Sequence, residues 1–165
     1  MPVYRVCFVC SGNICRSPMA EVVFRRLVDE AGLADLVQVD SAGTGDWHVG
    51  ADADSRATAA LRRRGYPVRR HRARQVVPTD LVAADLLIAL DAEHAEELRR
   101  LAASPEQAAK VRLLRSFDPA GDADLDVPDP YYAGRPAFEH VLDLVEAGCR
   151  GLLDEVQAAV AARCR

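Results

Sequence analysis

The sequence predicts an α/β fold: a single doubly wound domain in which a four-stranded parallel sheet is flanked by helices. Three observations lead there. Short β-branched or apolar runs alternate with stretches of helical spacing, the pattern of a parallel sheet covered on both faces. The length, 165 residues, suits one domain. No linker, repeat or low-complexity segment divides the chain, so residues 1–165 are read as one unit.

Tyr4 to Val9 is a short apolar, β-branched run and predicts a buried first strand. Ser17-Pro18 is expected to open a helix, with Ser17 as N-cap and Pro18 in the first turn. Ala20, Phe24, Leu27, Val28 and Ala31 keep helical spacing, and Gly32 ends it. Leu36 to Val39 predicts a second strand, running into the small residues Ser41 to Gly45. Ser55 to Arg64 reads as helix, stopped by Gly65 and Pro67. Asp85 to Leu90 is a third strand, and Asp91 caps a helix reaching about Ala102. Val111 to Leu114 is a fourth strand. Asp118 to Pro136 holds four prolines and two glycines and predicts a long ordered loop of the kind that carries function. A last helix runs from Pro136, with Phe138, Leu142, Val145, Leu152, Val156 and Val160 on one face.

Composition narrows the function classes. Half the residues are hydrophobic and 28% are charged, as in ordinary globular proteins. No apolar run of about 18 residues exists to span a membrane. The net charge of −4 argues against a general nucleic-acid binder. Five cysteines cannot all pair, and with no secretory signal layout the expectation is a cytoplasmic protein with free thiols. Arg62, Arg63, Arg64, Arg69, Arg70, Arg72 and Arg74 crowd around His71, and such runs are usually solvated faces. The sharper expectation is that this segment draws anions toward a nearby cleft.

Ligands of doubly wound sheets bind where strand ends meet helix starts. At the first such junction stands Cys10-Ser11-Gly12-Asn13-Ile14-Cys15-Arg16-Ser17. Backbone N–H groups of a tight loop and a helix N-terminus together suit a phosphate-like dianion. The planar fork of Arg16 can hold two oxygens of that anion. Gly12 and Asn13 are the residue types that tolerate left-handed backbone. The same positive environment favours the thiolate, the nucleophilic form, of Cys10, and the Ser17 hydroxyl can donate to it. A Walker-type loop is excluded because no Gly-Lys-Ser/Thr is present. Cys7-x-x-Cys10 is not read as a metal site, because Cys7 lies within the strand and no second pair exists. No metal or cofactor is expected.

The Cys-x5-Arg-Ser loop, with Asp40-Ser41-Ala42-Gly43-Thr44 and Asp129-Pro130-Tyr131-Tyr132, resembles the low-molecular-weight protein tyrosine phosphatase family over nearly the whole chain. The resemblance implies Cys10 as nucleophile, Arg16 as phosphate clamp and Asp129 as general acid and base. Pro128 and Pro130 restrict the backbone around Asp129, although Pro128 replaces an acidic residue often seen there in relatives. Asp122, Asp124 and Asp126 are read as solvated. The resemblance further implies that Asn13 braces the loop through Ser17, Ser41 and His71. Asp91 is read either as the N-cap alone or as an orienting partner on the Arg16 side. Trp47, in a Gly-rich loop unsuited to core packing, and Tyr131 are the expected walls of the cleft. Tyr131 and Tyr132 are also, by resemblance, targets for a tyrosine kinase. Ser11 sits at the cleft edge, where its small size is expected to change substrate preference. Cys15 stands either as a redox guard for Cys10 or as a packing thiol.

The expected activity is therefore hydrolysis of phosphotyrosine in proteins through a phosphocysteine. Two alternatives are weighed. A thioredoxin-linked arsenate reductase of the same fold needs further cysteines midway along the chain, and none lies between Cys15 and Cys149. A non-catalytic phosphotyrosine-binding module would lack Cys10 or Asp129, and both are present.

Overall fold

The computed structural model describes residues 2–165. Strands β1 (Tyr4–Cys10), β2 (Val37–Gly43), β3 (Leu86–Ala89) and β4 (Val111–Leu113) form one parallel sheet in the order β2-β1-β3-β4. Side chains alternate across β1. Tyr4, Val6, Phe8 and Cys10 pack against α1 (Arg16–Glu30), α2 (Ser55–Arg63) and α6 (Arg135–Arg163). Cys7 and Val9 turn to the other face, toward α3 (Pro78–Ala83) and α4 (Ala92–Leu101). The Phe8 and Phe24 rings meet edge to face with centroids 5.6 Å apart and tie β1 to α1. From β1 the chain passes first to β2 on one side, whereas β3 and β4 lie on the other. The carboxyl ends of β1 and β3 therefore border the crevice where such sheets bind ligands.

Helix ends follow their capping chemistry. Gly32 and Gly65 adopt φ of 73° and 80° and close α1 and α2. In each case the next residue donates back to the helix, Leu33 to Val28 and Tyr66 to Leu61. The Asp91 carboxylate caps α4 by accepting from the His94 N–H at 3.0 Å. Ser17 differs from expectation. Helix α1 begins at Arg16 with Cys15 at its N-cap, where no side chain caps the amides, and the Ser17 hydroxyl is used elsewhere. The helices α3 and α5 (Pro105–Ala108) and a 3-10 turn at Leu114–Phe117 are too short to leave a periodic signal. No helix among the described residues is long and apolar enough to cross a membrane.

Some residues of the two charged segments do other work than expected, while Arg62, Arg69, Arg70, Arg72, Asp122 and Asp124 are exposed as expected. Arg63 and Arg64 reach from α2 to Glu139, Asp143 and Glu146 on α6, while Arg74 pairs with Asp40 and Asp80. These arginines tether elements and are not free to draw anions into a cleft. The acidic run is a series of turns in which Asp118, Asp122, Asp124 and Asp129 each accept from the amide two residues on. Asp126 is not merely solvated, because its carboxylate accepts from Ala92 N–H at the start of α4. Arg115 holds the carbonyls of Asp124 and Asp126, and the buried Val127 bonds through its N–H to the Leu90 carbonyl. The long loop is thereby pinned beside the end of β3.

Candidate active site

Strand β1 delivers Cys10 to the crevice with 3% of its surface exposed. The loop that follows turns its carbonyls outward. Those of Cys10 and Ser11 accept from Thr44 and Gly45, that of Asn13 meets His71 Nε2 at 2.6 Å, and that of Ile14 accepts from Asp54. A trans peptide points its N–H opposite its carbonyl. The amides of Ser11, Gly12, Ile14 and Cys15 are therefore turned to the inner side, where a dianion would sit.

Asn13 makes this turn feasible. It is the described non-glycine residue with left-handed backbone, at φ 59°, and it is fully buried. Its Nδ2 donates to Ser17 Oγ at 2.8 Å and to Ser41 Oγ at 2.9 Å, and its Oδ1 accepts from Arg74 N–H. Ser41 in turn donates to the Glu21 carboxylate at 2.6 Å. The directions then follow in order. Ser17 accepts from Asn13, so its own hydrogen is left for an acceptor, and Cys10 Sγ at 2.9 Å is nearer than the Ala42 carbonyl at 3.4 Å. A serine O–H aimed at sulfur, with the α1 N-terminus beside it, stabilises negative charge there. Gly12 has ordinary φ, unlike the sequence expectation. A Cβ there would stand 2.6 Å from His48 Cδ2, so a larger residue would displace that partly exposed ring from the cavity wall.

Arg16 is buried, and its Nη1 is committed on both sides, to Asp91 Oδ2 at 2.9 Å and to the Val127 carbonyl at 3.0 Å. Its Nη2 has only long contacts, 3.4 Å to Ser11 Oγ and 3.8 Å to Asp129 Oδ2. Nη2 is thus the arm available to an incoming anion. Asp91 both caps α4 and holds Arg16. Asp129 stands half exposed at the mouth, with Oδ1 accepting from Tyr131 N–H at 3.1 Å.

The cavity between these groups measures about 390 Å³ and is bordered by Cys10, Arg16, Trp47, His48, Asp129 and Tyr131, with Tyr132 at the rim. Trp47 is 69% exposed, too open for a core residue and suited to an apolar wall. Tyr131 stacks edge to face with Tyr132 at 4.9 Å, and the Arg56 guanidinium lies 5.5 Å from the Tyr131 ring centroid. Ser11 does not offer its hydroxyl to a ligand. It is bonded to His94 Nε2 at 2.8 Å, while the residue itself borders the cavity, where its small size is expected to matter.

Cys7, Cys15 and Cys149 are held as thiols. Burial pushes Cys7 and Cys149 well up, and burial with the charges of Asp54, Cys10 and Asp129 pushes Cys15 up to about 12. Sequence reasoning missed His48 and His94. The available signal for His94 was position: it stands three residues after an N-cap aspartate at a strand end, on the same side of the first helical turn.

The sequence and the fold are similar to those of known proteins. A family model described as low molecular weight phosphotyrosine protein phosphatase matches residues 5–162. A low molecular weight protein-tyrosine-phosphatase of Streptomyces coelicolor is 58% identical, covering 97% of this chain and 98% of that one. The low molecular weight protein-tyrosine phosphatase A of Mycobacterium tuberculosis is 54% identical over 94% and 93% of the two chains. The crystal structure of YfkJ from Bacillus subtilis superposes with a TM-score of 0.89 at 40% identity, covering 96% of this chain and 98% of that one. A protein tyrosine phosphatase of Entamoeba histolytica, with Hepes in its active site, matches with the same TM-score at 34% identity over 94% and 98% of the chains. On these grounds the chain belongs to the low molecular weight phosphotyrosine protein phosphatase family.

Proposed function

We propose that this phosphatase, acting as one domain, hydrolyses phosphotyrosine in proteins with Cys10, Arg16 and Asp129 as its catalytic residues. The observation that carries the assignment is the sulfur of Cys10, poised under a donating Ser17 hydroxyl at the floor of a cavity that Arg16 and Asp129 border. In the first step Cys10 Sγ attacks phosphorus and the S–P bond forms as the P–O bond to the phenol breaks. The Asp129 carboxylic acid gives its proton to the departing oxygen. In the second step the Asp129 carboxylate takes a proton from water as that water attacks phosphorus. The S–P bond breaks, phosphate leaves and the thiolate is restored. Arg16 Nη2 and the loop amides of Ser11 to Cys15 stabilise the equatorial oxygens in both steps.

Depth supports an aryl substrate. The buried sulfur between aromatic walls suits a phosphate carried on a rigid ring, whereas phosphoserine is too short to bring phosphorus to Cys10. Ser41, His71 and Asp91 support the loop as described, and Trp47, Tyr131 and Tyr132 form the cleft. The exposed ring of Tyr132 supports a second use of the rim, as a tyrosine-kinase target. The buried thiols of Cys7, Cys10, Cys15 and Cys149 favour a reducing, cytoplasmic setting.

The experiment is hydrolysis of p-nitrophenyl phosphate and a phosphotyrosine peptide in the presence of EDTA. Turnover by the wild type, with none by Cys10→Ser, is expected. Full activity in Cys10→Ser overturns the assignment. The arsenate-reductase reading has no support, since the described cysteines place no resolving pair near Cys10 beyond Cys15.

A further inference from the structure

Of the groups around the cleft, the mechanism leaves one buried side chain unused. His94 is 2% exposed, lies in the first turn of α4 and closes a ring of contacts beneath the phosphate loop. Its Nε2 meets Ser11 Oγ at 2.8 Å. Its Nδ1 lies 3.1 Å from Asp91 Oδ1, off the axis of a hydrogen bond and with no other partner. Asp91 Oδ2 holds Arg16 Nη1, and Arg16 Nη2 returns to Ser11 Oγ. The circuit runs Arg16, Asp91, His94, Ser11 and back to Arg16.

We infer that His94 is a positioning residue for phosphoryl transfer, fixing the Ser11 hydroxyl and, with it, the free arm of Arg16. The inference rests on the proposed phosphatase reading. Burial keeps the imidazole neutral by driving its pKa down to about 4. A neutral ring carries one N–H, and the carboxylate beside Nδ1 places the proton there. Nε2 is then an acceptor, so the Ser11 O–H donates to it and the Ser11 lone pairs face Arg16. With its hydroxyl fixed this way, Ser11 keeps Nη2 aimed across the loop until a phosphate oxygen replaces that long contact. Without His94 the hydroxyl rotates freely, and the guanidinium loses its reference on the side opposite Asp91. The interaction most dependent on that aim is the one made in the transition state, when charge builds on the equatorial oxygens.

The test compares wild type with His94→Leu, His94→Gln, Ser11→Ala and the Ser11→Ala/His94→Leu double variant. The readouts are kcat and KM for p-nitrophenyl phosphate, Ki for vanadate and for inorganic phosphate, and Tm. The expected result for His94→Leu is a fall in kcat of about tenfold, a matching rise in vanadate Ki, and a change in phosphate Ki of less than about threefold. The amide of His94→Gln reaches Ser11 and restores kcat to within about threefold. Ser11→Ala removes the same contact without touching the packed ring, and adding His94→Leu to it lowers kcat no further. The inference is overturned if Ser11→Ala and His94→Leu are additive in kcat, or if vanadate Ki in folded variants stays at the wild-type value. A wild type inert toward aryl phosphate would overturn the phosphatase reading itself, and the inference with it.

Discussion

Arg16 Nη1 and Asp91 Oδ2 lie 2.9 Å apart, joining the helix after β1 to the residue that follows β3 by two positions and caps α4. The pair spans the crevice between the two strands and is the link through which the sheet positions the anion clamp. Arg16 is almost fully buried, so its charge depends on that carboxylate and on the Val127 carbonyl.

Asp91→Ala leaves a buried guanidinium with one fewer acceptor and α4 without its cap. Loss of one partner of a buried pair typically costs about 3–5 kcal/mol, and some exposure of Asp91 reduces that. The expected outcome is a lower Tm together with a kcat loss larger than the change in KM, measured by thermal melts and steady-state kinetics. Unchanged kcat in the folded variant would show that Val127 alone aims Arg16.

Asp129→Ala removes the proton donor while leaving Cys10 and the loop intact. Its kcat is expected to fall about 10²–10⁴-fold for poorly acidic leaving phenols and much less for strongly acidic ones. A series of aryl phosphates checks this directly. A uniform loss across the series would assign Asp129 to binding instead.

Stability should depend on pH through His94. Its pKa lies near 4 in the folded chain against an ordinary 6.5, so between those values the unfolded chain holds more protons. Stability from this group is complete above pH 6.5 and is lost as pH falls toward 4, by an amount on the order of 3 kcal/mol. Thermal melts across that range should show a steeper decline for wild type than for His94→Gln. Parallel curves would mean that His94 titrates normally.

Cys15 offers a separate check. Peroxide converts Cys10 to a sulfenic acid, and attack by the Cys15 sulfur releases water and forms a disulfide that a thiol reductant reopens. Because Cys15 is held protonated, with its pKa up at about 12, that closure should be slow. Activity recovered by reductant after mild peroxide is expected to fall in Cys15→Ala. Equal recovery would leave Cys15 as a packing residue.

The cleft wall can be tested by Trp47→Ala. Its exposed ring should contribute to aryl binding, giving a KM increase of several-fold with little change in kcat and no loss of Tm. Loss of Tm instead would make Trp47 a packing residue.

Much of this was legible in the sequence because it is local. Cys10 to Ser17 lie within one strand-loop-helix junction, and Gly32, Gly65 and Asp91 announce helix ends by residue type alone. What was not legible depends on chain segments distant in sequence. Ser17 looked like an N-cap because serine before proline favours that role, yet its hydroxyl answers to Asn13 and Cys10. Arg64 and Arg74 looked like an anion-attracting run until their partners on α6, β2 and α3 came within reach. Asp126 resembled its solvated neighbours, since nothing in sequence brings it to Ala92. His94 stayed hidden for the same reason, its partner Ser11 being 83 residues away.

The central claim is that Cys10 carries the phosphoryl group. A rapid acid quench of the enzyme turning over a phosphate-labelled phosphotyrosine peptide, followed by peptide mapping, tests it most directly. The account predicts label on the peptide containing Cys10, accumulating further when Asp129→Ala slows hydrolysis and absent in Cys10→Ser. Turnover with no label on Cys10, or label on another residue, would contradict it.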